Sequence, residues 1–261
     1  MTHRGFGINA TVPLDVVREV AREAEAAGYD SLWLNGSPPR GALEAVAAAA
    51  SVTSLPLGTG VLPFNRRSLD LLIEDVRELD IPQDRFWMGI GWGGGPDGAL
   101  DTMREAVDTI QDELDVKVLV GAVGPNMTRL AGEIGDGAIF TWWFKEAVEE
   151  SRPLIAEGAA RVDREALPVY SYIRCALLPQ AHQALDDTAN SYDAMSGFQR
   201  VFRAHGKRAH DTVVTGGNAD ELRSGIEREE AALDIAIIRA ITADESAESI
   251  LELLEACRPE Q

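Results

Sequence analysis

The sequence predicts an α/β chain closed into a (β/α)8 TIM barrel. Three observations predict it. Eight short apolar runs recur along 261 residues, and amphipathic helical segments separate them. The repeat is about 20 to 30 residues, the length of one strand–helix unit. The runs are apolar nearly throughout, which marks parallel strands covered on both faces. No linker-like composition divides the chain, so residues 1–261 are expected to form one domain.

The elements follow in order. GFGINA (5–10) is the first strand. The helix PLDVVREVAREAEAAG opens on Pro13 and Asp15 and stops at Gly28, the expected Pro-first, Gly-last asymmetry. DSLWL (30–34) is the second strand, and the alanine-rich ALEAVAAAASV after it reads as a packed helix. LPLGTGVLP (55–63) is the third, followed by SLDLLIEDVREL with Ser68 as its cap. RFWMGIG (85–91) precedes ALDTMREAVDTIQDEL, and VKVLVGA (116–122) precedes MTRLAGEIG. GAIFTWW (137–143) and PVYSYIRCALL (168–178) are the sixth and seventh strands. Two helical stretches then intervene, QALDDTANSYDAMSGFQRVFRAHG and NADELRSGIEREEAALD. They predict a helical insertion between strands 7 and 8, residues 179–233, covering the mouth of a pocket. DIAIIRAI (234–241) is the eighth strand, and ESAESILELLEA completes the ring.

Composition narrows the function. The net charge of −19 repels phosphate backbones and anionic membranes, which argues against nucleic-acid and membrane partners. It reads as a solvated acidic surface, with adaptation to high salt the lesser alternative. No apolar run approaches the roughly 20 residues that span a bilayer, and the N-terminus lacks a secretory apolar region. A cytoplasmic location is expected. Cys175 and Cys257 form no CxxC and read as small buried hydrophobes. His3, His182, His205 and His210 make no HExxH or His–Cys cluster, so no metal site is indicated.

In such a barrel, chemistry gathers where the strands end: after Ala10, Leu34, Gly60, Gly91, Gly121, Thr141, Leu178 and Ile241. LVGAVGPNM (119–127) leaves a strand through two glycines and a proline just where a helix begins. It is either a tight turn or a seat for a phosphate on free backbone N–H groups. GTGVLPF (58–64) sets two glycines beside Thr59 and Val61. It is either a simple strand ending or a bulge on which a flat apolar ring could lie. Gly89, Gly91 and Gly94 satisfy G-x-G-x-x-G, but the next strand ends in glycine rather than an acid, so a dinucleotide site fits poorly.

Several segments together resemble the bacterial luciferase-like oxidoreductases, particularly the branch that uses the deazaflavin coenzyme F-420. They are AREAEAAGYDSLWL, PLGTGVLPFNRRSLDLLIEDVRELD, RFWMGIGWG, VLVGAVGPNMTRLAGEIGDGAIFTWW and PVYSYIRCAL. The resemblance implies a TIM barrel that binds F-420, or alternatively FMN, at its C-terminal face. It implies hydride transfer to or from a small organic substrate, or monooxygenation if FMN is used, and a possible homodimer. The ring would rest on a bulge with a non-proline cis peptide at Gly60 and Val61, beside Thr59. The cofactor phosphate would lie at Gly121, Ala122, Val123, Gly124, Pro125, Asn126 and Met127. Gly91, Trp92 and Thr141 complete the expected cofactor contacts, and Trp92, Phe140 and Trp142 would keep water out.

The departures from the pattern are as informative. Ser37 stands where these deazaflavin enzymes often carry a histidine, and Gly94 where some carry a glutamate. Trp92 stands where the luciferases place a phosphate-binding arginine, which favours F-420 over FMN. Asn35 and Ser37 are left as catalytic candidates. They can orient a substrate but cannot store a proton. Two further readings stay open: a flavin- or deazaflavin-binding relative without catalysis, and a lyase or isomerase of phosphorylated metabolites. The second requires a charged strand end, which these ends are read as lacking.

Overall fold

A computed structural model of the chain describes residues 3–93 and 98–259. Strands β1 (His3–Ile8), β2 (Ser31–Leu34) and β3 (Leu57–Thr59) alternate with helices α1 (Leu14–Ala26) and α2 (Pro39–Ala50). A two-residue strand β4 (Leu62–Pro63) and helix α3 (Leu69–Glu78) lead to β5 (Phe86–Gly91), α4 (Ala99–Glu113), β6 (Lys117–Gly121) and α5 (Pro125–Ile134). Then come β7 (Gly137–Phe140), α6 (Lys145–Ala160), β8 (Val169–Leu177), α7 (His182–Asp193) and α8 (Ser196–Ala204). The chain ends with β9 (Val214–Gly216), α9 (Ala219–Glu230), β10 (Ile235–Ile241) and α10 (Ala247–Ala256). All pairings are parallel, and β10 joins both β1 and β8, so the sheet closes into a barrel of eight staves.

The bulge and the non-proline cis peptide expected at Gly60 and Val61 are present, and three other details differ from the sequence reading. The third stave breaks into β3 and β4, both paired to β5, because residues 60 and 61 bulge between them. The peptide Gly60–Val61 is cis, as are Ser37–Pro38 and Leu178–Pro179. The insertion carries a short strand, β9, that extends the sheet beside the end of β8. Three residues are too few to show a two-residue period. Helix α6, whose sequence was not singled out above, carries Pro153 inside it, a residue that ordinarily breaks a helix.

Strand alternation decides what enters the barrel. One row fills its interior: Trp33 of β2, Leu119 of β6, Ile139 of β7, Tyr170 and Tyr172 of β8, and Ile235 and Ile237 of β10. Trp33 packs on Trp87 at 5.5 Å and Tyr170 at 5.7 Å between ring centroids. The opposite row, including Leu32, Leu34, Val118, Val120, Ala138 and Ile238, packs under the helices. Cys175 and Cys257 meet in that outer layer as buried free thiols, and burial with the neighbouring Cys257 pushes the Cys175 thiol up.

The bulge is held by backbone closeness. Gly89 lies so near β3 that a Cβ there would stand 1.9 Å from the Thr59 carbonyl oxygen, and a Cβ on Gly36 would stand 1.8 Å from that of Val61. The Gly89 N–H donates to Thr59 Oγ1 at 3.1 Å, and that hydroxyl lies 3.3 Å from the Gly89 carbonyl. Behind the following loop, Asp75 is 1% exposed and pairs with Arg40 and Arg67.

Two predictions follow from this interior. Gly89→Ala forces β3 and β5 apart and costs about 3 kcal/mol, the upper end for overpacking. Gly197→Ala, whose Cβ meets only Val123 at 3.5 Å, leaves stability unchanged or slightly raised. Equal urea midpoints for the two variants would refute the backbone contact. Burial also raises the phenols of Tyr29 and Tyr172 and pushes Tyr170 up to about 12. The unfolded chain therefore ionises first, near the ordinary value of about 10. Native stability is complete below that pH and falls above it, by up to about 1.4 kcal/mol per pH unit for each such tyrosine. Urea melts at pH 9, 10 and 11 measure the slope, and Tyr170→Phe should make it shallower. An unchanged slope in that variant contradicts the assignment.

Candidate active site

The interior row ends at the C-terminal mouth in two contrasting halves. On one side stand Gly60, Gly91 and Gly121, close around Val61. A Cβ on Gly91 would lie 2.7 Å from Val61 Cγ2, and one on Gly121 2.9 Å from Val61 Cγ1. Among the described residues, Val61 is thereby the side chain that Gly60, Gly91 and Gly121 leave exposed on this arc of the wall, a low apolar shelf. On the other side stand Asn9, Asn35, Thr141, Arg174 and Arg239. A cavity of about 810 Å³ covers the shelf, bounded also by Trp92, Phe140, Tyr172 and Arg66. The α7–α8 junction closes it with Tyr192, Met195, Ser196, Gly197 and Phe198, so the insertion does cover the mouth. Phe198 fixes that cover by packing on Tyr192 at 5.2 Å and on Trp143 at 6.4 Å.

The structure brings together most of the residues singled out from sequence. Asn35, Ser37, Gly60, Val61, Gly91, Trp92, Gly121, Ala122, Val123, Met127 and Thr141 all line this cavity. Thr59 is fully buried in the wall, where its hydroxyl ties β3 to β5. Trp142 is buried beneath Arg174, whose guanidinium carbon lies 3.9 Å from its ring centroid. Trp92 packs edge-on against Phe64 at 5.4 Å. Gly94 lies outside the described residues.

Gly124, Pro125 and Asn126 lie just beyond the cavity wall, at the start of α5. Gly124 adopts φ 84°, ψ 162°, backbone that essentially only glycine accepts. Thr128 N–H returns to the Gly124 carbonyl at 3.1 Å. No acceptor among the described residues meets the N–H groups of Asn126 and Met127, and no side chain caps the helix. These donors, with the helix dipole behind them, favour an anion.

The polar half corrects one expectation: the strand ends do carry charge. Arg174 and Arg239 stand side by side in the β8–β10 register, 5% and 9% exposed. Sequence reading passed over them because YIRCA and IIRAI look like apolar strands. Their parity betrays them: Tyr170, Tyr172 and Arg174 fall on one face, as do Ile235, Ile237 and Arg239. Arg174 donates to Thr141 Oγ1 at 2.9 Å, and Arg239 to Asn9 Oδ1 and the Ala240 carbonyl. Burial pulls the Arg174 guanidinium down to about 10, still cationic at neutral pH.

Ser37 accepts from Arg66 Nη1 at 2.9 Å, which puts a guanidinium at the rim beside the shelf. Tyr172 lies against the shelf, since a Cβ on Gly60 would stand 2.2 Å from its hydroxyl oxygen. Its burial holds that hydroxyl protonated, as a donor. The hydroxyl of Tyr172, Asn35 Oδ1, Trp92 Nε1 and Arg174 Nη1 are buried without partners. Four orphaned polar atoms around one cavity cost free energy unless a ligand meets them. Among the described residues no cluster of His, Cys, Asp or Glu could hold a metal ion. None of the described helices is long and apolar enough to cross a membrane.

Known proteins share this fold. The F-420-dependent glucose-6-phosphate dehydrogenase of Beutenbergia cavernae is 30% identical over 220 residues, covering 64% of this chain and 66% of its own. The chain matches only 61% to 66% of the length of the curated relatives. Among solved structures, an F-420-dependent secondary alcohol dehydrogenase holding an F-420–acetone adduct superposes with a TM-score of 0.77 at 19% identity, over 99% of both chains. The oxygenating constituent of 3,6-diketocamphane monooxygenase from Pseudomonas putida, with FMN, gives 0.73 at 12% identity, over 99% of this chain and 97% of its own. At those identities the two structures establish the fold. The luciferase-like monooxygenase family matches residues 1–112 and 97–259, nearly the whole chain, and the protein belongs to that family.

Proposed function

We propose that the protein is an oxidoreductase that binds coenzyme F-420 on the Val61 shelf and transfers a hydride to or from a small organic substrate. The observation that carries this reading is the juxtaposition at the mouth. A side-chain-poor apolar shelf faces orphaned polar groups, and a helix start with two free N–H donors lies at its edge. The shelf suits a flat ring, and about 810 Å³ suits a tricyclic cofactor with its side chain. When bound, the deazaflavin supplies or accepts the hydride; the chain supplies placement.

Each residue has a definite task in this reading. Val61, with Gly60, Gly91 and Gly121, bears one ring face. The Asn126 and Met127 N–H groups receive the cofactor phosphate. Arg66 and Ser37 stand at the rim on the same side and suit the anionic or hydroxylated tail. Asn35 and the protonated Tyr172 hydroxyl orient the oxygen of the substrate, one accepting and one donating a hydrogen bond. Trp92, Phe140 and the α7–α8 cover exclude water. F-420 is favoured over FMN because no arginine occupies the position of Trp92, and because the Beutenbergia cavernae relative named above is F-420-dependent.

The test uses an isosteric change. Asn126→Asp sets a carboxylate at the free N–H groups. It should leave stability unchanged or raise it by about 0.3–1 kcal/mol through the helix dipole. It should weaken F-420 binding about tenfold or more, since the added charge both occupies the donors and repels phosphate. Fluorescence titration of wild type and variant with F-420 and with FMN measures this. Tight FMN binding without F-420 binding would sink the cofactor assignment. Undiminished F-420 affinity in the variant would sink the phosphate seat.

A further inference from the structure

A second cavity of about 350 Å³ adjoins the first and shares Asn9, Asn35, Arg174 and Tyr192 as its walls. It lies at the ends of β1, β8 and β10. Its sides carry the apolar Ile8, Val12, Ala184, Ile241 and Ile250, with Thr188 and Thr242 among them. At its inner end stand Arg174 and Arg239, direct neighbours across two parallel strands. Two like charges at that spacing repel, and both are more than nine-tenths buried. A buried charge without a partner is costly, and truncating such a site to apolar residues is the cheaper way to fill a barrel.

Neither guanidinium has a counter-ion. No carboxylate among the described residues comes within ion-pair distance of Arg174 or Arg239, although eighteen such pairs occur elsewhere. The nearest acids of this cavity, Asp244 and Glu245, are exposed on its rim and engaged otherwise. Asp244 accepts from Ser246 Oγ at 2.6 Å, and Glu245 accepts from Asn9 and from Thr11 Oγ1 at 3.2 Å. What the structure offers instead is partial compensation. Arg174 lies over the rings of Trp142 at 3.9 Å and Tyr192 at 5.2 Å, and donates to a neutral hydroxyl. Arg239 donates to an amide oxygen and a carbonyl. Arg174 Nη1 and Arg239 Nε remain buried with no acceptor. The pair is built, oriented and left open.

We propose that Arg174 and Arg239 together form the carboxylate-binding end of the substrate pocket, so that the substrate is a small organic acid with a short apolar body. The proposal deepens the hydride-transfer reading by naming its substrate class, and rests on it only for the word substrate. The planar guanidinium fork matches a carboxylate, and a charge-assisted bond in a dry pocket is the strong kind. The apolar walls take the hydrocarbon part. The shared walls Asn35 and Tyr192 lead from this cavity to the shelf, where the reacting carbon would stand. A neutral alcohol or ketone leaves both cations uncompensated and is disfavoured for that reason.

The test needs no natural substrate. Wild-type protein is titrated with butyrate, butyramide, methanesulfonate and inorganic phosphate, by calorimetry and by tryptophan fluorescence, with Trp142 under Arg174 as reporter. Butyrate should bind at least about tenfold more tightly than its amide, and more tightly than the other two anions. Arg174→Gln and Arg239→Gln should each lose that preference while F-420 affinity stays within about threefold. Equal binding of butyrate and butyramide overturns the proposal, and so does tighter binding of methanesulfonate or phosphate. If either variant loses F-420 and keeps butyrate, the pair serves the cofactor and the proposal fails. Should a variant not fold, the carboxylate–amide comparison on the wild type decides. Butyrate preference in a protein that binds no F-420 leaves this inference standing and removes the hydride-transfer reading.

Discussion

A closed barrel admits only every second residue of each strand to its interior, and the rest of this structure depends on that restriction. The interior row is narrow, so its lower layers are filled by bulky rings such as Trp33, Tyr170 and Tyr172. The uppermost layer is the last that the strands control before loops take over. Of its members, Gly91, Gly121, Arg174 and Arg239 are placed by strand pairing, and Asn9, Asn35, Gly60 and Thr141 each stand one residue past a strand end. A site built this way is held in register by the hydrogen-bonded sheet, which suits a reaction that needs two reactants at fixed distance.

The third stave shows what it takes to make a shelf within such a wall. A regular strand would send a side chain into the barrel at every second position. Here the wall bulges at Gly60–Val61, and its neighbours have given up their side chains to allow it. The Thr59 hydroxyl bridges to Gly89 where the bulge interrupts regular pairing. Behind it, Arg40 and Arg67 converge on buried Asp75 and tie α2, the loop and α3 into one block. The cavity above thus has an apolar floor with little freedom, and ligand specificity falls to the groups around it.

Much of this was legible in the sequence. The eight staves, the helical insertion and the two glycine-rich strand ends follow from period, turn chemistry and spacing. GTGVLP alone left a simple strand ending and a bulge both open, and it was the resemblance to the luciferase-like family that pointed to the bulge. GAVGPN announced the helix start because proline suits the first turn. The polar half was missed for a physical reason. Arginine is mostly a surface residue, and YSYIRCAL and IAIIRAI were weighed as apolar runs rather than split by parity. Splitting them sets Arg174 above Tyr172 and Arg239 above Ile237, with no structure required. What parity alone does not give is their adjacency, which comes from β10 pairing with β8 to close the barrel. The meeting of Cys175 and Cys257 is hidden likewise, because only the closed ring brings α10 onto β8.

Charge distribution links the two halves to the molecule. The chain carries −19 overall, yet the cations Arg174 and Arg239 are turned inward with no counter-ion among the described residues, and Arg66 guards the rim. An acidic exterior repels anions at long range, and salt screens that repulsion beyond about 10 Å. The buried pair acts only at short range, in a low dielectric where its pull is strongest. An anion therefore gains little from the outer surface and much from the pocket end, so selection occurs at the seat rather than during approach. In the proposed reading the glycine half would need no such charge, because a neutral flat ring would be held by shape and by backbone donors. If both proposals hold, separation of the two kinds of recognition on opposite sides of one mouth would let two reactants bind face to face without competing for the same groups.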